Sequence, residues 1–377
     1  MTTTPQKVIV ALSGGVDSAV AALLLCRQGY DVEALHMTNW EDDDGYCTAA
    51  LDFQDARSVC RELGIPLHRA NFSQAYREQV FDKFLAEYRA GRTPNPDVLC
   101  NREIKFGLFL EHARRLGAQR IATGHYARLD TGSPPHLLRG LDSNKDQSYF
   151  LHAVPAAALA HALFPVGELE KHDVRALATA AGLPVHTKRD STGICFVGER
   201  PFREFLQRYL SAPAGAMQTP AGEVVGRHDG LMYYTRGQRQ GLGIGGRAGH
   251  GDDAWYVAGK DTARNVLIVV QGRDDAALWD RELVTEAPVW ITGEPDALAS
   301  GAAFECTAKT RYRQRDAACT VTRLAGGLHL CFDEPQWAIT RGQSAVLYRG
   351  DICLGGAVIA QAGASPAAVP VTAAAAG

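Results

Sequence analysis

The amino-acid sequence predicts an α/β, doubly wound N-terminal domain with a parallel sheet, followed by a small β-rich central domain and a C-terminal β-barrel. Apolar strand-like runs alternate with helical segments over the first half of the chain, which is typical of a parallel sheet covered by helices. Short β-like runs separated by glycine turns dominate the second half, which favours small barrels. The composition changes at residues 211–215, the predicted linker between the two halves.

The first predicted strand is the apolar run 8–12, and apolar residues at helical spacing identify the segments between strands. Further strands are predicted at 31–37, 66–70 and 120–125, and helices at 19–26, 52–63, 74–89, 104–116, 174–182 and 201–210. Ligands of such domains bind beyond the carboxyl ends of the strands. The turn at 13–18, Met37 and Gly124 are therefore expected at one edge of the sheet.

We predict four segments: a catalytic domain at 1–210, a small β-rich domain at 211–280, a β-barrel at 281–362 and a disordered tail at 363–377. The central domain shows β-like runs at 223–225, 231–234, 255–257 and 266–270. The barrel shows them at 303–307, 318–324, 327–332, 344–348 and 352–359. The tail is rich in alanine, proline and valine, which is typical of a disordered terminus.

Composition excludes several classes of protein. The chain of 377 residues is 46% hydrophobic with a formal net charge of −3, so any nucleic-acid binding must come from local patches. No apolar run approaches the ~20 residues that span a bilayer, and no signal-peptide pattern is present, so we expect a cytoplasmic protein without membrane contact. The nine cysteines include no Cys-x-x-Cys pair, which argues against a disulfide framework and against a zinc or iron–sulfur cassette.

A glycine turn, Ser13-Gly14-Gly15-Val16-Asp17-Ser18, joins the first predicted strand to the first predicted helix. This geometry directs backbone N–H groups and a helix N-terminus at an anion. The turn lacks the lysine of the common phosphate loop. Ser13 and Ser18 can donate to phosphate oxygens, whereas Asp17 would repel a phosphate and so indicates a bridging Mg²⁺. An ordinary turn with Asp17 or Ser18 as the helix cap is the alternative.

Two loops carry cysteines in surroundings that favour a thiolate. Cys100 follows two prolines and precedes a predicted helix, whose N-terminus would lower the thiol pKa, and Asp97 is a nearby proton donor or acceptor. Cys195 follows an Asp-Ser-Thr-Gly turn, with Lys188 and Arg189 upstream. A buried structural cysteine is the alternative at both positions. As a pair, they raise the hypothesis that one thiol delivers sulfur and the other resolves a disulfide.

Two further segments are candidate substrate contacts. The polar run at 141–150 is either a substrate loop or a surface turn with a helix cap. If the segment 309–315 is a strand, alternation places Lys309, Arg311, Arg313 and Arg315 on one face. Such a ridge would bind phosphates, and a solvated strand edge protected by charge is the alternative.

Together these stretches resemble the bacterial tRNA-specific 2-thiouridylases, members of the PP-loop ATP pyrophosphatase group. The resemblance extends to about residue 361. It rests on the motifs at 11–18, 38–40, 93–101, 122–128, 145–151, 190–196 and 311–313. The Ser-Gly-Gly-x-Asp-Ser signature alone indicates only the PP-loop group. The two cysteine loops with the Lys-Asp-Gln-Ser run are far more specific.

The resemblance implies an adenine-nucleotide α-hydrolase-like first domain and an enzyme that thiolates the wobble uridine of tRNA at C2. ATP would adenylate the 2-carbonyl oxygen, and a persulfide on Cys195 would then supply sulfur. The products would be 2-thiouridine, AMP and pyrophosphate. Cys100 would attack the persulfide and leave a Cys100–Cys195 disulfide to be reduced, with Asp97 as the acid or base.

Binding residues are also implied by the resemblance. ATP, with Mg²⁺ near Asp17, would be held by Ala11, Leu12, Ser13, Gly14, Gly15, Val16, Asp17, Ser18, Met37 and Gly124. The target base would contact Asn95, Pro96 and Asp97, and the rest of the tRNA would contact His125, Lys145, Asp146, Gln147, Arg311, Tyr312 and Gln343. No permanently bound metal or iron–sulfur cluster is expected. The implied partners are the tRNAs for Lys, Glu and Gln and a cysteine desulfurase or sulfur-relay protein.

Two rival interpretations remain open at this point. One is another PP-loop ligase or synthetase that makes an amide or amidine, which would need no reactive cysteine. The other is a non-catalytic nucleotide-sensing or RNA-binding protein, which would not cleave ATP to AMP and pyrophosphate.

Overall fold

The computed structural model of the protein describes residues 5–40, 49–190, 202–245 and 251–363. The strands of its first half are β1 Lys7–Ala11, β2 Asp31–Thr38, β3 Leu67–Asn71, β4 Arg120–Ala122, β5 Ala127–Leu129, β6 Leu137–Arg139 and β7 Ala162–Leu163. Five of them form a parallel sheet in the order β3-β2-β1-β4-β7. The predicted parallel sheet is confirmed, and its strand order reverses between β1 and β4, where such sheets bind ligands.

The helices of this half are α1 Val16–Arg27, α2 Ala49–Leu63, α3 Ser73–Tyr76, α4 Asp82–Arg89, α5 Pro96–Leu99, α6 Phe109–Arg115, α7 Ser148–Leu151, α8 Ala156–Leu159, α9 Lys171–Ala180 and α10 Phe202–Gln207. Two π-helical segments, Arg77–Phe81 and Cys100–Leu108, join α3 to α4 and α5 to α6. In the described ranges, no helix has the length and apolar character needed to cross a membrane.

Side chains of β1 alternate between two apolar layers. Ile9 and Ala11 pack in a cluster that includes Phe109 of α6. Val8 and Val10 pack in another cluster with residues of α1. Because both faces of the strand are buried, its sequence is a continuous apolar run.

The central domain is a four-stranded sheet. Its strands are β8 Gly215–Gln218, β9 Val224–His228, β10 Trp255–Asp261 and β11 Val266–Gln271, in the order β10-β11-β8-β9. Residues 231–234, predicted as a β-like run, instead begin with a 3-10 turn at Leu231–Tyr233. The turn follows Gly230, whose φ of 145° interrupts a strand.

The C-terminal strands are β12 Trp279–Thr285, β13 Val289–Trp290, β14 Phe304–Lys309, β15 Ala317–Leu324, β16 Gly327–Trp337, β17 Ser344–Arg349 and β18 Ile352–Ala362. A 3-10 turn at Ala276–Leu278 precedes them, and α11 Asp296–Ala299 lies between β13 and β14. The pairing of β12 with β18 closes the barrel β12-β16-β15-β14-β17-β18. The predicted C-terminal barrel is confirmed. The predicted disordered tail after residue 363 lies outside the described residues.

A hairpin of the first domain continues the sheet of the barrel. β5 pairs with β6, and β6 pairs with β18 through Leu137 and Leu138. Next to this junction, Arg139 Nη2 lies 2.5 Å from Asp316 Oδ2, and its guanidinium lies 3.6 Å from the ring centre of Tyr348. Backbone hydrogen bonds therefore join the barrel directly to the first domain.

His152, which is buried where α7 meets the barrel, gives a pH-dependent stability prediction. Burial lowers the pKa of His152 to about 4. The hydrogen bond that Nδ1 donates to the carbonyl oxygen of Tyr149, at 2.7 Å, raises the pKa but offsets only part of this effect. In the unfolded chain, the pKa of this histidine is about 6.5. Between pH 6.5 and pH 4, the unfolded chain therefore binds a proton at His152 that the folded chain does not bind. Stability falls as the pH drops through this window.

We expect His152→Gln to remove this dependence. Between pH 7 and pH 5, the free energy of unfolding of the variant should fall by about 2 kcal/mol less than that of the wild type. Urea unfolding at both pH values measures the difference. The exposed His172→Gln is the matched control, and equal losses in wild type and His152→Gln would contradict the assignment.

Candidate active site

The glycine turn after β1 is a compact loop. Ser13 Oγ lies 3.1 Å from Ser18 Oγ, which is 3.0 Å from the carbonyl oxygen of Gly15 and donates to it. Gly14 has a φ of 81°, and a Cβ at this position would lie 2.4 Å from the carbonyl oxygen of Asp52. Helix α1 begins directly after Gly15 with no side-chain cap, so its first N–H groups can serve an anion.

The turn after β4 packs on this loop. A Cβ on Gly124 would lie 2.7 Å from backbone atoms of Asp17 and Ser18, so only glycine allows this approach. The hydroxyl of Tyr126 donates to Asp17 Oδ1 at 2.7 Å. Met37, which is 7% exposed, lies near the carboxyl end of β2. The structure thus brings the predicted nucleotide-binding segments to one edge of the sheet.

A lysine from α9 reaches the loop. Lys171 Nζ lies 2.6 Å from Asp17 Oδ1 and 2.7 Å from Asp190 Oδ1, and Lys145 Nζ lies 2.6 Å from Asp190 Oδ2. Partial burial alone would raise the pKa of Asp190, but hydrogen bonds from Lys145 and Lys171 outweigh it and lower the pKa to about 2. Asp190 is therefore an anion at neutral pH that holds both lysines.

A second lysine contacts the loop from another side. Lys188 Nζ donates to the carbonyl oxygen of Gly14 at 3.1 Å and lies 2.7 Å and 2.6 Å from carboxylate oxygens of Asp52 and Asp55. Burial would lower the pKa of Lys188, but the two carboxylates raise it, so the side chain stays charged. The predicted effect of Lys188 on Cys195 stays a prediction, because Cys195 lies outside the described residues; the contacts of Lys188 in the described part of the chain are with Gly14 in the glycine turn and with Asp52 and Asp55 on α2.

The contacts of Lys171 and Lys188 with the glycine turn were not predicted from the sequence. Lys171 is 154 residues from its partner Asp17, and Lys188 is 174 residues from Gly14. No local pattern marks either position. Two lysines from distant parts of the chain thus lie beside a turn whose own sequence contains no lysine.

Cys100 lies inside a continuous helix, and the predicted loop at 95–101 is wrong. The helix begins at Pro96, which suits the first turn, and the Asn95 side chain caps it by accepting from Asp97 N at 3.1 Å. Cys100 is 0% exposed and begins the π-helical segment, a form that is frequent at functional sites. The prediction that Cys100 lies at a helix N-terminus is therefore wrong, whereas half-buried Asp97 does lie in the first turn.

Side chains connect the helix that carries Cys100, here called the cysteine helix, to the glycine turns that follow β1 and β4. Lys105 Nζ lies 3.5 Å from His125 Nε2, and His125 Nδ1 lies 2.7 Å from Thr123 Oγ1. Burial, with the nearby Lys105 ammonium, holds the pKa of His125 well below its usual value, so the imidazole is neutral. On the same helix, Asn101 Nδ2 donates to the carbonyl oxygen of Phe150 at 3.1 Å. The glycine turns, the cysteine helix and the polar run at 141–150 therefore form one connected site.

Cys195 lies outside the described residues, so its pairing with Cys100 stays a prediction. Asp190, the last described residue before it, is tied to the glycine turn by Lys171. Six other cysteines in the described part of the chain are free thiols: Cys26, Cys60, Cys306, Cys319, Cys331 and Cys353. Among the residues described, no group of three or more His, Cys, Asp or Glu side chains is arranged to hold a metal ion.

Comparison with known proteins identifies the family. Three family models match successive parts of the chain: a tRNA methyl transferase HUP domain at 6–199, a tRNA methyl transferase PRC-barrel domain at 203–271 and an aminomethyltransferase beta-barrel domain at 280–359. The tRNA-specific 2-thiouridylase of Chromohalobacter salexigens is 60% identical over 95% of this chain and 93% of its own length. The chain belongs to the tRNA-specific 2-thiouridylase family.

Two further 2-thiouridylases support the same assignment. The Marinobacter nauticus protein is 56% identical over 97% of this chain and 93% of its own length. The Pseudomonas entomophila protein is 58% identical over 94% of each chain. The resemblance noted in the sequence and the predicted three-part fold class are confirmed. The protein is an enzyme that transfers sulfur to uridine in tRNA.

In this 2-thiouridylase, several residues assigned to tRNA by resemblance make internal contacts. Asp146 is 5% exposed, and its Oδ1 accepts hydrogen bonds from two backbone N–H groups at 3.1 Å. Gln147 Oε1 accepts from Tyr126 N at 3.0 Å, and His125 is 8% exposed. The side chains of Asp146 and Gln147 therefore hold the backbone of the site in place. Contact of these residues with tRNA stays a prediction.

The predicted basic ridge is not a strand face. Strand β14 ends at Lys309, and residues 310–316 form a bend and turn in which Arg313 has a φ of 63°. The Lys309 ammonium lies 3.6 Å from Asp146 and 3.7 Å from Asp316. The expectation of four cations on one strand face is therefore wrong, because the strand stops before three of them. Arg313 and Arg315 are the exposed cations of this turn.

Arg311, Tyr312 and Gln343 contact other parts of the chain. The guanidinium of Arg311 donates to the carbonyl oxygen of Arg236 at 2.7 Å, and to an oxygen each of Ala338 and Thr340 at 2.6 Å. The ring of Tyr312 lies 4.4 Å from that of Phe150, between ring centres. Gln343 Nε2 donates to the carbonyl oxygen of Thr93 at 2.8 Å.

One buried amide, near the carboxyl end of β2, has no hydrogen-bond partner among the residues that the structure describes. Asn39 follows β2 and is 1% exposed, and both Oδ1 and Nδ2 are unpaired. An unpaired buried polar group costs about 1–3 kcal/mol, so a ligand that pairs with it gains affinity. An amide offers a donor and an acceptor side by side, the pattern that recognises a nucleobase edge. The sequence analysis used Asn39 only as part of a family motif.

The contacts of Arg311 predict a structural effect. Arg311→Ala removes three hydrogen bonds from a charged donor where the central domain meets the barrel and should lower the free energy of unfolding by about 3 kcal/mol. The exposed Arg313→Ala should leave stability within about 0.5 kcal/mol and weaken tRNA binding with a flatter salt dependence. Urea unfolding and tRNA binding at several salt concentrations measure both. Unchanged stability with lost tRNA affinity in Arg311→Ala would favour a direct phosphate contact.

Proposed function

We propose that this 2-thiouridylase acts on the wobble uridine, the first anticodon position, and uses ATP to activate its C2 carbonyl. The carbonyl oxygen attacks the α-phosphate, which gives an adenylated base and pyrophosphate. The terminal sulfur of a Cys195 persulfide attacks C2, and AMP leaves. The Cys100 thiolate then attacks the Cys195 sulfur, which breaks the S–S bond and leaves 2-thiouridine and a Cys100–Cys195 disulfide. A reductant supplies two electrons to reopen the disulfide.

The observation that supports this proposal most is the connection between the anion-binding turn and the cysteine helix. Gly124 packs on Asp17 and Ser18, and the next residue, His125, contacts Lys105 of the cysteine helix. Adenylation and sulfur transfer act on the same carbon, so phosphate and thiol must meet at one place. A nucleotide-sensing protein would not need a buried cysteine on the helix beside its anion site.

We assign ATP to the loop from Ala11 to Ser18, to Met37 and to Gly124. The N–H groups of α1 and the Lys171 ammonium would stabilise the negative charge that grows on the departing pyrophosphate. Bound Mg²⁺ would supply further positive charge at the phosphates. Asp17 Oδ1 already accepts from Tyr126 and Lys171, so the residues present fit a Mg²⁺ held mainly by phosphate oxygens and water.

We place the uridine near Asn95, Pro96 and Asp97, with Asp97 as the proton donor or acceptor. The base must leave the anticodon stack to reach the buried Cys100, as in other base-modifying enzymes. The side chain of Asn95 is the helix cap, so it fixes the start of this helix whether or not it touches the base. The unpaired amide of Asn39 adds a recognition group for a base edge.

The remaining parts of the proposal concern partners and organisation. The substrates are the tRNAs for Lys, Glu and Gln in the cytoplasm, and a cysteine desulfurase or a sulfur-relay protein loads Cys195. We retain the division into a catalytic domain at 1–210, a central domain at 211–280 and a barrel at 281–362. Two β domains give the enzyme a surface on which to hold a folded RNA by its backbone.

The two proposed cysteine roles predict matched losses. Cys100→Ser and Cys195→Ser should each lower 2-thiouridine formation at least about a hundredfold, because each removes a sulfur that the transfer requires. Both variants should still release pyrophosphate in a single turnover with tRNA, since adenylation precedes the sulfur steps. Cys26→Ser on α1 is the control. Normal thiolation in both site variants would contradict the roles proposed for the two cysteines.

The proposed phosphate role of Lys171 predicts a defect before sulfur transfer. Lys171→Met should raise the KM for ATP about tenfold or more and slow pyrophosphate release, because an ammonium beside the loop is lost. Lys171→Arg, which keeps the charge, should recover part of the rate. The exposed Lys83→Met serves as control in a pyrophosphate-release assay. Unchanged ATP kinetics in Lys171→Met would show that the lysine only anchors Asp17 and Asp190.

A further inference from the structure

The chain segment that leads into the cysteine helix is held by the C-terminal barrel. Thr93 N donates to the carbonyl oxygen of Arg341 at 2.9 Å. Gln343 Nε2 donates to the carbonyl oxygen of Thr93 at 2.8 Å and lies 3.4 Å from that of Pro94. The barrel thus forms hydrogen bonds with both the N–H group and the carbonyl oxygen of Thr93, and it also contacts the carbonyl oxygen of Pro94.

The fit between this segment and the barrel is close. Gly342 has a φ of 88°, and a Cβ there would lie 2.9 Å from Thr93 N. The barrel turn can approach Thr93 only because position 342 has no side chain. The segment therefore packs against the barrel backbone, with Gln343 as its side-chain donor.

The central domain holds the same segment from another side. Lys260 Nζ donates to the carbonyl oxygen of Gly91 at 3.2 Å, and Thr93 Oγ1 lies 3.3 Å from Thr235 Oγ1. Arg92 Nη1 lies 2.5 Å from Glu286 Oε1, just beyond β12 of the barrel. Residues 91–94 are therefore fixed by side chains of both β domains.

A displacement of this segment would pass directly to the cysteine helix. Pro94 and Pro96 restrict φ on either side of Asn95, and Asn95 caps the helix in which Cys100 lies. Little rotational freedom remains between the barrel contact and the first turn. The position of the helix start therefore depends on the contacts made by residues 93 and 94.

We propose that the barrel positions the Cys100 helix through Gln343, which acts as a positioning residue. The amide donates to two successive carbonyls that would otherwise need water partners. Its contribution is to hold the segment 91–94 in one place before the tRNA arrives. The inference rests on the proposed role of Cys100, but the placement of the segment can be measured without any reaction.

The first test uses the full chain without tRNA or ATP. In Gln343→Ala, amide hydrogen exchange of residues 91–99 should accelerate at least about tenfold. Alkylation of Cys100 by iodoacetamide, followed by peptide mass spectrometry, should accelerate as well, because the buried thiol opens with the segment. Exchange elsewhere in the barrel should stay unchanged. Gln361→Ala, an exposed glutamine of the same barrel, is the matched control.

Two further variants test the donated hydrogen bond itself. Gln343→Glu keeps the size of the side chain but lacks the donor, so it should behave like Gln343→Ala. Gln343→Lys keeps a donor of similar reach and should retain part of the protection at residues 91–99. In thiolation assays, Gln343→Ala should lower kcat several-fold with little change in the KM for tRNA, because the defect lies in the cysteine helix.

Two outcomes would overturn the proposal, and a third would separate it from the role proposed for Cys100. Unchanged exchange at 91–99 with a raised KM for tRNA would make Gln343 a direct tRNA contact. Faster exchange throughout the barrel would give Gln343 a general structural role. If Cys100→Ser retains full thiolation while Gln343→Ala still loosens residues 91–99, the function proposed for Cys100 fails, and the barrel contact alone remains.

Discussion

The ion pairs of Lys171 are the interaction on which the site depends most. A single ammonium joins Asp17 in the glycine turn to Asp190, the last described residue before the segment with Cys195. The same lysine begins α9, so one residue ties a loop, a helix and the start of a cysteine segment together. Removal of the ammonium would leave the half-buried Asp17 carboxylate without an ion-pair partner among the described residues, whereas Asp190 would keep Lys145 and Arg175.

The fold was predictable where the signal was local. The apolar run of β1, the glycine turn and the following helix are read from neighbouring residues, and all three are present. The helix at Pro96 was missed because two prolines near a cysteine indicate a loop, although Pro96 with Asn95 before it is also a good helix start. Both interpretations use the same residues, and only the packing of Cys100 in the core decides between them.

The site was less predictable than the fold because its charges come from distant parts of the chain. The basic segment at 309–315 has a composition typical of a phosphate-binding face, yet Lys309 and Arg311 are held inside the molecule. Lys171 and Lys188 carry no local signal, and they lie at the loop. A cation count cannot tell a solvent-facing charge from one paired with a buried carboxylate, since that distinction depends on tertiary contacts.

The burial of Cys100 fits the role proposed for its thiol, which is to react only after the uridine has been activated. A fully buried cysteine is shielded from oxidants and from other thiols. In such a site, access must come with the substrate, because the uridine has to reach the same interior. The helix that carries Cys100 is fixed at its start by the barrel and along its length by His125 and Phe150. Thiol exposure is thereby linked to the two regions that a bound tRNA and a bound nucleotide would touch.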